Sequence, residues 1–200
     1  MTQSCKPLRL AKMASPIGEI LLVTDGQALV SLDYEGYETR LMRLLAKRYG
    51  NVELEQPSDI EGFTALETDL IARISAYLGG DLTAVDSIAV NPGGTKFQAN
   101  VWQALRSIPP GTIMSYGELA RQLGNPNAVR AVGTTNSLNP ISIVLPCHRV
   151  IGANGSLTGY AGGLDRKRWL LEHEGVNLAQ LKQPQRASQG HQLSLLNSTP

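Results

Sequence analysis

The chain has 200 residues, a formal net charge of +1 and a hydrophobic content of 42%, which predicts one large domain or two small ones. No stretch approaches the roughly 18–20 apolar residues of a membrane span, and we expect no secretory signal, because the N-terminus lacks an apolar core. The two cysteines, Cys5 and Cys147, are far apart. This pattern excludes a disulfide framework and a cysteine-based zinc site, and it predicts a cytoplasmic protein in a reducing compartment.

Charge is unevenly distributed along the chain. Residues 1–95 carry 8 Lys/Arg and 13 Asp/Glu, a balance of −5, whereas residues 96–175 carry 8 and 4, a balance of +4. Residues 176–200 add two basic residues and no acidic ones. A basic segment beside an acidic one indicates an anionic partner for the basic segment, although a chain this short can also acquire such an asymmetry by chance.

The first half of the chain predicts three antiparallel strands, two helices and a last short strand. A strong hairpin signal, Asp25-Gly26, separates the second strand from the third. From alternation, apolar runs and helical spacing, the predicted elements are strands 8–13, 20–24 and 28–32, helices 37–49 and 63–78, and strand 87–90. They predict a small α+β unit whose role is structural support, since it contains no cluster of reactive side chains.

The strongest linker signal in the chain is Asn91-Pro92-Gly93-Gly94-Thr95. We therefore predict an N-terminal domain over residues 1–90, a linker over 91–95, a second domain over 96–175 and a tail over 176–200. The end of the tail is rich in Pro, Gln, Ser and Asn, and this composition predicts disorder.

The second half is predicted to be mainly helical. A helix is expected over residues 96–107, and Ser115 with Glu118 forms a capping box for the next helix. A tight turn follows, after which Pro126 begins another helix, with Asn125 as its cap. Two short helices joined by a tight turn predict a helix-turn-helix.

The second helix of this motif carries the small residues Ala128, Ala131 and Gly133 around one long cation, Arg130. Small residues let a surface approach closely, and the arginine suits a nucleic-acid backbone or groove. The alternative is that the small residues pack against a neighbouring helix. The pattern favours contact with a nucleic acid and leaves the packing role open.

An apolar run over Ile141–Leu145 leads into Pro146-Cys147-His148-Arg149. The run predicts a buried extended segment, and Pro146 fixes the backbone before the cysteine. Free cysteine is among the most buried residue types, so an inert core residue is one interpretation of Cys147. The electropositive neighbours His148 and Arg149 favour the other, a reactive thiolate.

The segment after Cys147 is rich in glycine, which lets a ligand approach the backbone closely. Asn154-Gly155 predicts a type I′ hairpin. A last helix is predicted over Leu164–Glu174, ended by Gly175. Its expected core contacts are Leu164, Trp169, Leu170 and Leu171.

A series of motifs within residues 95–175 resembles those of the O6-alkylguanine-DNA alkyltransferases, most closely the bacterial constitutive type. The motifs are Ser115-Tyr116-Gly117-Glu118-Leu119-Ala120, Gly124-Asn125-Pro126, Arg130-Ala131-Val132-Gly133, Asn139-Pro140-Ile141, Pro146-Cys147-His148-Arg149-Val150-Ile151-Gly152 and Gly159-Tyr160-Ala161-Gly162-Gly163. The first half resembles the family only in size and strand-helix pattern. The resemblance implies an α+β fold with a ribonuclease H-like N-terminal domain and a winged-helix-like C-terminal domain.

The resemblance also implies roles for the reactive residues. Cys147 corresponds to the alkyl acceptor, and His148 and Glu174 correspond to the pair that holds it as thiolate through a bridging water. Arg130 corresponds to the arginine that takes the place of the extruded nucleotide. Tyr116 corresponds to the tyrosine that crowds the 3′ phosphate and contacts the flipped base.

The remaining implied roles concern the base pocket and the DNA surface. Asn139 corresponds to the asparagine that braces the turn before the active-site segment. The carbonyls of Cys147 and Val150 are expected to accept hydrogen bonds from the guanine amino group. Tyr160 is expected to line the pocket, and the backbone N–H of Ala161 to donate to guanine O6. The other residues expected at the DNA surface are Ala128 and Gly133.

The predicted function is DNA repair by direct reversal. After base flipping, Cys147 takes the alkyl group of O6-alkylguanine in one irreversible turnover, with no cofactor or metal. The expected partner is double-stranded DNA containing alkylated guanine. O4-alkylthymine as a substrate, and cooperative assembly of an otherwise monomeric protein on DNA, stay open. The alternatives are a thiol-dependent hydrolase using Cys147 and His148, a non-catalytic DNA-binding protein that senses lesions, and a helix-turn-helix regulator.

Overall fold

The computed structural model describes residues 8–57 and 60–181. Its N-terminal half contains a four-stranded sheet of β1 (Leu8–Met13), β2 (Ile20–Thr24), β3 (Leu29–Tyr34) and β4 (Leu54–Glu55). The strand order is β3-β2-β1-β4; β1, β2 and β3 run antiparallel, and β4 pairs parallel with β1. The three predicted antiparallel strands are therefore confirmed.

The predicted hairpin at Asp25-Gly26 joins β2 to β3. Gly26 adopts a φ of +82°, which favours glycine. The Asp25 carboxylate accepts hydrogen bonds from the backbone N–H groups of Gln27 and Ala28, at 3.0 Å each. An Asp side chain that satisfies turn donors in this way stabilises the reversal.

Strands β2 and β3 are buried along their whole length because each face of the sheet is covered. On one face, helix α1 (Glu38–Tyr49) packs Leu41 and Leu45 against Leu21 and Val30. On the other face lies helix α2 (Ala65–Leu78), which begins at a Thr64–Glu67 capping box. The two helices predicted for this half are confirmed, with α2 beginning two residues later than predicted.

The predicted strand at Ser87–Val90 is wrong, since only Val90 forms a single parallel bridge, to Leu29 of β3. The other end of the same strand edge is occupied by the second half of the chain. There Leu32 N–H donates to the Pro140 carbonyl, and Ser142 N–H donates to the Leu32 carbonyl. Two short segments thus share the β3 edge, and neither has the length of a strand.

The second half is mainly helical, as predicted. Its elements are α3 (Lys96–Leu105), β5 (Met114–Ser115), α4 (Tyr116–Gln122), α5 (Val129–Ser137), β6 (Val150–Ile151) and α6 (Leu164–His173). The Ser115–Glu118 capping box begins α4, as predicted. The expected Asn125 cap is wrong, since the Asn125 side chain makes no capping hydrogen bond. Its backbone carbonyl accepts from Ala128 N–H and closes a 3₁₀ turn at Pro126–Ala128.

Leu164, expected in the core, is instead 47% exposed in the first turn of α6, and Phe97 is 37% exposed in the first turn of α3. The buried face of α3 is formed by Val101, Trp102 and Leu105, so Phe97 lies at its edge. Helix α3 also ends two residues earlier than predicted. In α6 the buried face includes a charged residue, Lys167, beside Leu170 and Leu171.

One hydrophobic cluster extends through both halves. It combines Leu32 of β3 and Ile74 of α2 with Val101 of α3 and Leu170 of α6. The two halves therefore stabilise each other through a common core, and the division at residues 91–95 stays a prediction. The predicted tail beyond residue 181 lies outside the described residues. Within the described ranges, every helix is too short or too polar to cross a bilayer.

The capping box that begins α3 provides a test of the fold. The Thr95 side chain accepts from Gln98 N–H, and the Gln98 side chain accepts from Thr95 N–H. We expect Thr95→Ala to lower the free energy of unfolding by about 1 kcal/mol, the usual contribution of a cap, as measured by urea denaturation. The matched control is Thr39→Ala, an exposed threonine in the first turn of α1; an equal loss in both variants would contradict the assignment.

Candidate active site

The segment Ile141–Cys147 is a buried turn, and the prediction of an extended strand is wrong. Ile141 makes one bridge to Leu32 of β3, after which the chain reverses. Ile143 has a φ of +67°, and Val144 N–H donates to the Ser142 carbonyl at 2.8 Å, which closes a γ-turn. A β-branched residue in the left-handed region is strained, so the surrounding structure has to hold it there.

The side chain of Asn139 holds this turn closed. Its Oδ1 accepts from Ile141 N–H at 3.0 Å, and its Nδ2 donates to the Leu145 carbonyl at 2.7 Å. Arg40 of α1 donates to the Asn139 backbone carbonyl at 2.8 Å and pairs with buried Asp33 of β3. The Asn139 side chain thus bonds to both ends of the turn, and Arg40 of the N-terminal half bonds to the Asn139 backbone.

Cys147 is the first residue of a single 3₁₀ turn, Cys147–Arg149, and is 3% exposed. Pro146 before it has φ −77° and ψ +64°, an inverse γ-turn in which Cys147 N–H donates to the Leu145 carbonyl at 2.7 Å. The fixed φ of proline supports this conformation. The cysteine is therefore presented by two successive tight turns.

Burial raises the pKa of the Cys147 thiol, since it disfavours the charged form. A hydrogen bond from Asn139 and the cations Lys167 and Arg40 act in the opposite direction without overcoming burial. Burial likewise lowers the pKa of His148, against the effect of Glu174. At neutral pH the resting pair is therefore a thiol beside a neutral imidazole, and the imidazole can accept a proton.

Glu174, the residue that ends α6, is the centre of a buried polar network. Its carboxylate accepts from His148 Nε2 at 2.9 Å, from Arg149 Nη2 at 2.8 Å and from the Tyr77 hydroxyl at 2.6 Å. Burial raises the pKa of the carboxyl, but the bonds from His148 and Arg149 outweigh it and hold the pKa well below its usual range. Glu174 is therefore a carboxylate at neutral pH.

The structure directs Arg149 away from the thiol, which departs from its expected role as an electropositive neighbour of Cys147. Its Nε and Nη2 donate to Glu174, and its Nη1 donates to the Ile108 carbonyl at 2.5 Å. The guanidinium compensates the buried charge of Glu174. Besides Arg149, the carboxylate therefore also bonds to the His148 ring, whose Nδ1 is left without a partner among the described residues.

Lys167 was not singled out by the sequence, although it lies on the buried face of α6 with Leu170 and Leu171. Its Nζ donates to the carbonyls of Val150 at 2.6 Å and Thr158 at 2.8 Å. Burial lowers the pKa of its ammonium to about 8. A lysine at helical spacing from two apolar residues is the signal that could have revealed it.

The carbonyls expected to receive the guanine amino group already have protein partners. The Val150 carbonyl accepts from Lys167, and the Cys147 carbonyl accepts from Val150 N–H and from Asn136 Nδ2 at 3.3 Å. Asn136 lies on the buried face of α5 and was also missed by sequence reasoning.

The turn at Gly152–Ser156 is not the predicted type I′ hairpin. Type I′ requires positive φ at both central residues, whereas the only described non-glycine residue with positive φ is Ile143. Gly152 N–H donates to the Ser156 carbonyl at 3.0 Å. The Asn154 side chain accepts from the backbone N–H of Ser156, an Asx-type contact that favours a different turn.

The loop after this turn brings together the residues predicted to line a pocket. Tyr160 is 8% exposed, and Ala161 follows it in a turn closed by Gly163 N–H donating to the Tyr160 carbonyl. Tyr116, the first residue of α4, donates from its hydroxyl to the Thr158 carbonyl at 3.3 Å. Gly133 of α5 lies against the Tyr116 ring.

Helix α5 presents Arg130 to solvent, and Ala131 beside it is also exposed. Its buried face consists of Val132, Thr135 and Asn136. Ala128 packs partly against the core and Gly133 lies against Tyr116 of α4, so the packing alternative holds for these two small residues, whereas Ala131 is exposed. The exposed face is free of acidic side chains over Val129–Ser137, and it suits an anionic partner.

In the described part of the chain, no group of three or more His, Cys, Asp and Glu side chains is arranged to hold a metal ion. The site therefore consists of Cys147 in a buried turn, the His148–Glu174–Arg149–Tyr77 network behind it, and a glycine-rich loop beside it. Cys147, His148 and Glu174 supply the residue types that serve as nucleophile, base and orienting carboxylate in other activated nucleophiles.

The buried charge of Glu174 should make the stability of the protein depend on pH. Because its native pKa lies below the unfolded value of about 4.3, its stabilising effect is present at neutral pH and is lost as the pH falls through and below that value. We expect Glu174→Gln to cost about 3–5 kcal/mol at pH 7, since it leaves Arg149 buried without a counter-charge, and to flatten the acid dependence of urea denaturation. Glu172→Gln, exposed on the same helix, is the control; a matching loss there would contradict the prediction.

Comparisons with known proteins agree with this geometry. Residues 8–92 match the family model described as 6-O-methylguanine DNA methyltransferase, ribonuclease-like domain, and residues 96–176 match the model of the DNA binding domain of the same family. A methylated-DNA--protein-cysteine methyltransferase of Salmonella typhimurium is 48% identical over 168 residues, which cover 84% of this chain and 95% of the relative. A relative of the same name from Methanosarcina acetivorans is 43% identical over 161 residues, covering 80% and 94%.

Solved structures give the same result. A crystal structure of Mycobacterium tuberculosis OGT in complex with DNA has a TM-score of 0.67 and 39% identity, and the match covers 84% of this chain and 91% of that chain. These comparisons confirm the predicted fold class and the predicted family. The chain belongs to the 6-O-methylguanine DNA methyltransferase family.

Proposed function

We propose that this protein repairs DNA by direct reversal and transfers the alkyl group of O6-alkylguanine to its own Cys147. The names of its relatives and the DNA binding domain matched by residues 96–176 support alkyl transfer over the thiol hydrolase and the non-catalytic lesion sensor. The single structural observation that carries the proposal is a buried Cys147 followed by a buried histidine whose Nε2 lies 2.9 Å from the Glu174 carboxylate.

The chemistry is a displacement at carbon. The Cys147 thiolate attacks the alkyl carbon, the carbon–O6 bond breaks, and guanine leaves with the electron pair on O6, where it takes up a proton. The product is a thioether, which has no hydrolytic route back to the thiol. Each protein molecule therefore performs one turnover, and the reaction is stoichiometric.

Formation of the thiolate is assigned to His148. A thiol with a raised pKa is almost wholly protonated at pH 7, so a base is required. His148 Nε2 is bonded to Glu174, whereas Nδ1 is buried without a hydrogen-bond partner among the described residues. We assign Nδ1 as the acceptor of the thiol proton through a bridging water, and Glu174 as the group that stabilises the resulting imidazolium.

The leaving guanine needs hydrogen-bond donors at O6, where negative charge develops. We assign this role to the Tyr116 hydroxyl and the Ala161 backbone N–H, since Ala161 lies in the glycine-rich loop and the Tyr116 hydroxyl reaches the Thr158 carbonyl of that loop. Tyr160 forms a further part of the pocket. Lys167 stabilises the same loop through Val150 and Thr158, and its cation favours the thiolate.

Duplex recognition is assigned to the exposed face of α5. The target carbon lies inside the base stack, so the nucleotide has to rotate out, at a cost of a few kcal/mol. Exposed Arg130 offsets that cost by entering the stack in place of the nucleotide, while Ala128 and Gly133 allow close approach of the backbone. A cytoplasmic location belongs to the same proposal, because a reducing compartment keeps Cys147 a free thiol.

Mass spectrometry tests the transfer directly. After incubation with duplex DNA containing O6-methylguanine, we expect the Cys147 peptide to gain the mass of one CH₂ unit, once per chain, because the thioether is permanent. Cys147→Ser should gain nothing, and the Cys5 peptide of the same digest is the internal control. Repeated turnover with an unmodified Cys147 would refute the proposed function.

The role of Arg130 is tested by separating base extrusion from chemistry. We expect Arg130→Ala to slow the reaction with duplex DNA at least about tenfold, since the variant lacks the side chain that offsets part of the free-energy cost of base extrusion. Reaction with free O6-benzylguanine base, which needs no extrusion, should change by less than about twofold. Arg168→Ala, a substitution of an exposed arginine on α6, is the charge-matched control; equal slowing of both reactions in Arg130→Ala would rule out the extrusion role.

A further inference from the structure

Tyr34 brings a side chain of the N-terminal half into contact with the pocket. It is the last residue of β3 and is 0% exposed. Its hydroxyl lies 2.7 Å from the hydroxyl of Tyr160, and the two rings are tilted, with centroids 6.4 Å apart. The hydrogen bond joins two residues that are 126 positions apart in the chain.

We propose that Tyr34 is a positioning residue for alkyl transfer: its hydroxyl fixes the Tyr160 ring at the pocket wall and so determines how well a small alkyl group is held against the Cys147 sulfur. The inference rests on the proposed function and extends it to the specificity of the same site. It gives the sheet of the N-terminal half a part in the chemistry, beyond support.

The Tyr34 ring is held firmly enough to act in this way. The Arg166 guanidinium lies over it, 4.7 Å from the centroid. Arg166 Nε donates to the Ile17 carbonyl at 2.7 Å, and Nη1 donates to the Gly162 carbonyl at 3.1 Å. A Cβ at Gly162 would clash with the Tyr34 ring, so the backbone of the pocket loop rests directly on it. Tyr34 therefore lies between a fixed cation and the loop that it supports.

The pair is also close to the reactive sulfur. Burial raises the pKa of both tyrosine hydroxyls, and a negative charge on Cys147 raises it further. Both hydroxyls therefore stay protonated during the reaction, and their hydrogen bond persists. Tyr160 also shares one hydrophobic cluster with Cys147 and with Ile143 and Val144 of the γ-turn that leads to it. The contacts therefore run from β3, through Tyr160, to the core around the turn that presents Cys147.

The size of the alkyl group decides how much this positioning matters. A methyl group makes few contacts, so its distance from the sulfur depends on how the walls of the pocket are held. A benzyl group packs against an aromatic wall through its own ring. Loss of the Tyr34 hydroxyl should therefore impair methyl transfer more than benzyl transfer.

The test uses Tyr34→Phe in the full-length protein, which removes the hydroxyl and keeps the ring. We expect the second-order rate constant with duplex O6-methylguanine to fall about five- to tenfold, as small misplacements of reacting atoms do. With duplex O6-benzylguanine we expect a change of less than about twofold. In a Tyr160→Phe background, Tyr34→Phe should have no further effect on the ratio of the two rates, because the two residues act as one unit.

Tyr49→Phe is the matched control, since its buried hydroxyl has no hydrogen-bond partner among the described residues and lies in the other hydrophobic cluster. In Tyr49→Phe, the ratio of the rate constants with O6-methylguanine and O6-benzylguanine should equal that of the wild type. If Tyr34→Phe leaves the ratio of the O6-methylguanine rate to the O6-benzylguanine rate unchanged, this inference alone is overturned. The same follows if Tyr34→Phe and Tyr160→Phe change that ratio independently, so that their effects multiply in the double variant. Wild-type protein that leaves Cys147 unmodified overturns the proposed function and this inference together.

Discussion

The buried carboxylate of Glu174 is the interaction on which the site depends. A lone charge in the protein interior is costly, and a carboxyl in such a place tends to become neutral. Here Arg149 supplies a counter-charge, and Tyr77 and His148 supply hydrogen bonds, so the charge persists. Because it persists, the His148 ring is oriented and its conjugate acid is stabilised, which is what a base beside a buried thiol requires.

The second constraint is the turn that presents Cys147. The positive φ of Ile143 is unfavourable for a β-branched side chain, and such strain persists only where neighbouring contacts fix it. Asn139 bonds to both ends of the turn, and Arg40 bonds to the Asn139 backbone. The turn that precedes Cys147, the proposed nucleophile, is thus held by contacts from α1 and from the segment after α5.

The N-terminal half therefore has more than the structural role that its sequence suggested. Three of its residues reach the site: Arg40 bonds to the turn, Tyr77 to Glu174, and Tyr34 to Tyr160. Each contact joins residues about one hundred positions or more apart. The common hydrophobic core makes these contacts possible, because it fixes β3 and α2 against the second half.

By itself the sequence determined the antiparallel strands and the Ser115–Glu118 capping box, because these follow from local periodicity and turn residues. It also singled out Cys147 through the Pro-Cys-His-Arg motif, and Glu174 through the family resemblance, as candidate reactive residues. It could not determine that Ile141–Leu145 turns instead of extending, since an apolar run reads the same in a buried turn and in a strand. Only the tertiary structure decided that Arg149 faces Glu174, that Lys167 is buried, and that Tyr34 and Tyr77 belong to the site. Those facts depend on contacts between distant segments, which no local pattern of residues encodes.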